Sequence, residues 1–186
     1  MIYKGIISFI LTLTLILCAG CMQSYNVEKD LSPEKITEYQ QEITENEEIL
    51  ASPDLNEVEK KEALQTLGIA HDRLGNYDQS ISYYQQVLEI DPLDYVSLNN
   101  LASIYEEVEQ YALAAEYIVR LYPNYKDSQE VVRDTIRILV KNQGFEDAQM
   151  VLNEYASTHP QQENSFFISD QFEYIARMSK KAEESK

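Results

Sequence analysis

Apolar residues recur every three or four positions along most of this chain, and a proline or glycine stands close to many of the places where that rhythm breaks. From residue 33 onward the pattern predicts helix almost throughout, with no strand-like alternation of useful length. Pro33, Pro53, Pro92, Pro123 and Pro160 fall at breaks in the rhythm and are read as helix ends rather than kinks. Asp54 with Glu57, and Asp127 with Glu130, have the spacing of a reciprocal N-terminal cap. Residues 22–31 have no periodicity and are read as a tether.

The helical pattern repeats. Tyr77, Tyr111 and Phe145 lie 34 residues apart, as do Ser80, Ala114 and Ala148, and Tyr84, Ile118 and Leu152. Small residues at 68, 80, 102, 114 and 148 let paired helices approach closely, and the aromatics at 77, 111 and 145 fill the gap beside each turn. Pro92 returns two periods later as Pro160, each ending a second helix. Residues 61–94, with Leu64, Leu67, Gly68, Leu74, Gly75, Tyr77, Tyr84 and Pro92, resemble the tetratricopeptide repeat. The likeness continues over 95–128 and, in degenerate form, over 129–162, where Thr135 and Ile136 replace the Leu–Gly pair.

The resemblance implies an all-α solenoid of helical hairpins with about three repeats. A solenoid needs covered ends. Residues 32–60, with Ile36, Tyr39, Ile43 and Leu50, are read as an N-terminal capping helix and loop. Residues 163–186, with Ile168, Phe172 and Ile175, are read as a C-terminal capping helix and polar tail.

The N-terminus has a different character. Lys4 precedes an apolar and hydroxyl run from Ile6 to Leu17, shorter than the ~20 residues of a comfortable membrane span. Ala19, Gly20 and Cys21 follow, so residues 1–20 read as a secretory signal. Leu17, Ala19, Gly20 and Cys21 resemble the lipobox of bacterial lipoproteins, although Cys18 stands where that family has an aliphatic residue. The likeness implies a diacylglyceryl group on Cys21 and a domain on the extracytoplasmic side of a bacterial cell membrane or outer membrane. An uncleaved anchor helix and an ordinary signal peptide are the other readings. Residues 21–31 then form the lipidated cysteine and its tether, reaching roughly 35 Å if extended.

Charge narrows the partners. The 186 residues carry a net charge of −17, which opposes binding to nucleic acid. An anionic bilayer repels it too, so attachment to a membrane must be covalent or hydrophobic. Cys18 and Cys21 are the only cysteines, too few for a disulfide framework or a zinc site.

No catalytic constellation is found, and neither a metal nor a cofactor is implied. Outside the signal the only glycines are Gly68, Gly75 and Gly144, at packing or turn positions, so there is no phosphate loop. His71 is read as a core histidine and His159 as part of a turn. The pairs Glu47–Glu48 and Glu106–Glu107 are read as solvated neighbours with no reason to be buried.

The repeat resemblance implies a groove lined by the first helix of each pair. Its residues are Gln65, Ile69 and Asp72, then Asn99, Ser103 and Glu106 with Asn100 at the edge, then Arg133, Arg137 and Val140 with Lys141 beside them. One subfamily grips a peptide's C-terminal carboxylates with Lys, Arg and Asn. Asn100 fits that pattern, but Gln65, Ile69, Glu130 and Asp134 replace its other members. Residues 120–141 hold five cations (Arg120, Lys126, Arg133, Arg137, Lys141) against three acids (Asp127, Glu130, Asp134), 5 − 3 = +2. Two readings stand: a solvated face paired with neighbouring acids, or a basic groove floor for an acidic partner segment. The implied role is an envelope lipoprotein that scaffolds or assembles other proteins and is not itself an enzyme. A self-associating structural lipoprotein and a regulatory subunit of an enzyme complex are the alternatives.

Overall fold

The computed structural model describes residues 24–159 and 165–185; Cys18, Cys21 and Pro160 lie outside them. Among the described residues there are eight helices and no strand. They are α1 (Pro33–Leu50), α2 (Glu57–Arg73), α3 (Tyr77–Ile90), α4 (Tyr95–Glu107), α5 (Tyr111–Tyr125), α6 (Gln129–Lys141), α7 (Phe145–Thr158) and α8 (Ser165–Glu184). Three helical hairpins, α2–α3, α4–α5 and α6–α7, stack in chain order, with α1 packed on α2 and α8 packed on α6 and α7. The starts of α3, α5 and α7 are 34 residues apart, and so are those of α4 and α6. α2 begins one turn earlier than that period requires, at Glu57 rather than residue 61.

Helix starts depart from the sequence reading in a consistent way. Asn56, not Asp54, caps α2: its side chain accepts from the amides of Val58 and Glu59, and Glu59 returns a bond to the Asn56 amide. Ser128, not Asp127, caps α6 through the Val131 amide. In both places a second capping residue of the same chemistry lies one or two positions downstream, and the apolar register of the helix selects it. Pro33 occupies the first turn of α1 behind the Ser32 cap, and Pro53 and Pro92 lie in loops. Pro123 is inside α5. It removes one late hydrogen bond, but buried Leu121, the Tyr95–Tyr125 ring contact at 4.8 Å and the Tyr122–Glu154 hydrogen bond hold that last turn in place.

The core follows the repeat. Tyr84, Ile118 and Leu152 are fully buried or nearly so, as are Ser80, Ala114 and Ala148 one turn earlier on the same helices. A Cβ on Gly68 would meet the Tyr84 ring at 2.6 Å, and the Ser80 hydroxyl donates to the Gly68 carbonyl at 2.8 Å. The aromatics beside the turns are graded: Tyr77 is buried, whereas Tyr111 and Phe145 are half-buried. On α8 the inward face is Phe167, Ile168, Gln171, Tyr174, Ile175 and Met178; Phe172 points outward, correcting its assignment to the packing face.

Residues 24–31 are not a free tether. Tyr25, Val27, Lys29 and Leu31 are partly buried, and Ser24, Asn26, Glu28 and Asp30 between them are exposed. This is a period-two pattern that an extended segment lying on a surface requires. The Val27 amide donates to the Gly75 carbonyl at 2.9 Å, and Asp78 accepts from the Ser24 hydroxyl and the Tyr25 amide. Asn26 accepts from the Asp78 amide at 3.0 Å and so caps α3, whose own N-cap residue Asn76 makes no side-chain cap bond. Lys29 pairs with Glu107 at 2.8 Å and sits over the Tyr77 ring, while Tyr25 meets Tyr105 edge-on.

Each hairpin turn contains one residue of positive φ: Gly75 (76°), Glu109 (59°) and Gln143 (61°). At Gly75 glycine is required twice, because a Cβ there would also collide with the Val27 carbonyl oxygen. Glu109 and Gln143 bear left-handed strain that glycine would relieve. Glu109→Gly and Gln143→Gly should each stabilise the fold by about 0.5–1 kcal/mol in urea unfolding. Destabilisation by either would mean that the side chain makes contacts outweighing the strain.

Candidate functional site

The first helices of the three hairpins, α2, α4 and α6, carry the proposed groove residues, and most of the charged ones are engaged with each other. The Gln65 amide donates to Asp94 at 2.7 Å, and Lys61 bridges Asp91 at 3.1 Å and Asp94 at 3.7 Å. Asp94 is itself buried and caps α4 through the Ser97 amide. Ile69 is exposed on α2. Asp72 is half-buried, and that burial raises its carboxyl above the ordinary range against the pull of Arg73 and Lys29.

Glu106 is the centre of the second ion cluster. It is only 8 % exposed, contrary to its reading as a solvated acid. Burial is tolerated because Arg137 and Lys141, one repeat away, both bond its carboxylate, the lysine at 2.9 Å. Arg137 also reaches Asp134 at 2.9 Å. Arg133 lies over the Phe167 ring of α8 at 5.6 Å and has no carboxylate partner among the described residues. Of the three cations spaced along α6, two are therefore committed within the fold. The paired-face reading describes them; a basic groove floor reduces to Arg133. Val140 is 3 % exposed in the core and does not face the groove.

Asn99, Asn100 and Ser103 remain between the two ion clusters. The two asparagines are half-buried and Ser103 is exposed, and none has a side-chain hydrogen-bond partner among the described residues. Asn99, Ser103, Glu106, Asp134 and Arg137 line a notch of about 60 Å³ between α4 and α6. A wider cleft of about 480 Å³ lies between α1 and α2, walled by Ile49, Leu55 and Ala63 with Glu59 and Glu62 at its rim. Neither holds a nucleophile–base pair, and no group of three metal-ligating side chains is found among the described residues.

The histidines are structural. His71 is half-buried and stacked on Tyr83 at 5.5 Å, with burial lowering its pKa; it is not a fully buried core residue. His159 ends α7, stacked on Tyr155 at 4.3 Å.

Sequence reasoning named Gln65, Glu106 and Arg137 but missed their pairings, and it missed Lys61, Asp91 and Asp94 altogether. Lys61–Asp91, Gln65–Asp94 and Arg137–Glu106 are separated by 30, 29 and 31 residues. A first helix thus reaches the start of the next repeat, or the preceding first helix, across just under one period. For Lys61–Asp91 and Arg137–Glu106, opposite charges at that separation were the available signal.

The Glu106 cluster generates a direct prediction. Arg137→Ala with Lys141→Ala strands a buried carboxylate, at an expected cost of about 3 kcal/mol in urea unfolding. Adding Glu106→Leu should restore most of that loss. No recovery would show that packing, not the stranded charge, was responsible.

The family comparisons agree with this geometry. Tetratricopeptide repeat profiles match residues 61–94 and 83–116. No curated protein matches the chain. Among solved structures, MamA 41-end from Desulfovibrio magneticus RS-1 covers 83 % of this chain and 98 % of its own, with 13 % identity and a TM-score of 0.48. The MamA RS-1 ArsTM double mutant covers 84 % and 98 %, with 12 % identity and a TM-score of 0.48. Residues 61–116 thus carry tetratricopeptide repeats.

Proposed function

We propose that the protein is a protein-interaction scaffold, held on the extracytoplasmic face of a bacterial membrane by a lipid on Cys21, with no catalytic activity of its own. The observation that carries the scaffold reading is the row Asn99, Asn100 and Ser103 on α4, without side-chain hydrogen-bond partners among the described residues, lying between the Lys61–Asp91–Asp94 and Glu106–Arg137–Lys141 ion clusters. Amides so placed offer donors and acceptors to the backbone of an extended peptide segment. Arg133, exposed on α6 one turn before Arg137, adds one cation for an acidic residue of that segment. The apolar run Ile6–Leu17 and the Leu17, Ala19, Gly20, Cys21 sequence support the anchoring.

A second reading, self-association, is favoured by Phe166 and Phe172, which are 81 % and 37 % exposed on the terminal helix. Sedimentation of the purified protein tests it: a concentration-dependent dimer lost in Phe166→Ser with Phe172→Ser supports it, and a monomer at all concentrations excludes it.

Two comparisons test the main reading. Cys21→Ala should leave the protein in the soluble fraction of its own cells; unchanged membrane retention would contradict a lipid anchor. Asn99→Ala with Asn100→Ala should reduce crosslinked recovery of a partner at least about tenfold, the equivalent of ~1.4 kcal/mol, with helicity unchanged. Undiminished recovery would place binding elsewhere.

A further inference from the structure

The docked segment 24–31 limits where the molecule can stand on its membrane. If Cys21 carries a lipid, only three peptide steps separate it from Ser24, whose hydroxyl bonds Asp78 at the start of α3. Those steps span at most roughly 10 Å. The 35 Å reach of an undocked tether is not available while Val27 is bonded to Gly75, Asn26 caps α3 and Lys29 pairs with Glu107.

The same end of the stack carries all three hairpin turns. Gly75 and Glu107 lie under one short segment, and Lys141 at the end of α6 bonds Glu106 near the end of α4. The loops that join the hairpins, at residues 91–94 and 126–128, lie at the opposite ends of these helices. With 14 residues in α3, the two ends are separated by roughly 21 Å.

We propose that the end of the solenoid bearing the three hairpin turns faces the lipid bilayer, so that the helices stand on the surface and the groove across α2, α4 and α6 runs parallel to it. A partner segment in that groove would lie along the membrane. Tether length imposes this placement, not attraction: Asp78, Glu109, Glu146 and Asp147 lie at this end and would be repelled by anionic headgroups within the ~8 Å screening length. The inference rests on the lipid-anchor reading.

The test uses the full-length protein purified from membranes with its lipid. A single nitroxide label is introduced through Glu109→Cys at the turn end or Leu93→Cys at the opposite end. Each protein is then placed in phosphatidylcholine vesicles containing a nickel-chelating lipid. Relaxation by the headgroup nickel should be several-fold stronger at residue 109 than at residue 93. Replacing Tyr25, Asn26 and Lys29 together by Ala should abolish the difference, because these belong to the docked segment and not to the repeats. Equal relaxation at the two sites, or stronger relaxation at 93, overturns the inference; so does a difference that survives the triple replacement. Intact mass separates the two readings. A lipidated protein with no preference overturns the orientation alone, whereas a protein lacking the diacylglyceryl mass overturns the anchor as well.

Discussion

The close approach of α2 to α3 is the constraint on which the rest depends. Residue 68 has no side chain because the Tyr84 ring occupies the space where a Cβ would be, and Ser80 uses the same proximity to bond the Gly68 carbonyl. Ala102 and Ala114 keep the second hairpin close. In the third, fully buried Ile136 takes the place of Gly68 and Ala102, and Ala148 alone remains small on the partner helix. Equal hairpins stack at equal steps, and each first helix then meets the next across just under one sequence period.

That step explains the electrostatics of the groove. The chain is strongly acidic, yet the ions beside the groove are matched: Lys61 with Asp91 and Asp94, and Arg137 and Lys141 with Glu106. Such pairs tie neighbouring repeats together, and removing one partner costs more than the intact pair contributes. They also tie up Glu106, Arg137 and Lys141 beside the proposed groove, leaving neutral amides on α4 between the clusters and Arg133 without a carboxylate partner among the described residues. The proposed recognition there would rely on hydrogen bonds and shape, which salt screens little.

The repeat was legible because its spacing is written in residues with one steric role. Tyr77, Tyr84, Gly68 and Ser80 sit where close packing demands them, and the structure buries all four. What could not be read was chemistry depending on distance across repeats. Glu106 looked like one more surface acid until Arg137 and Lys141 were brought to it from α6. The caps at Asn56 and Ser128 were obscured by equally suitable aspartates nearby, since one-residue choices follow the helix register. Pro123 reads as a stop in sequence, but the Tyr122 and Tyr125 contacts that carry α5 past it are tertiary.

Segment 24–31 is the largest departure from a linear reading. Its alternation of Tyr25, Val27, Lys29 and Leu31 is short and includes a lysine, so it does not stand out as an apolar pattern. The lysine belongs there because its ammonium meets Glu107 and the Tyr77 ring. By capping α3 from a distance and occupying the space that Gly75 leaves open, this segment becomes part of the repeat stack. Amide hydrogen exchange at Val27 tests that union most directly. The account predicts protection comparable to the turn amides of the first hairpin, lost when Gly75→Ala displaces the segment. Exchange at the rate of an unstructured peptide in the unaltered protein would contradict it.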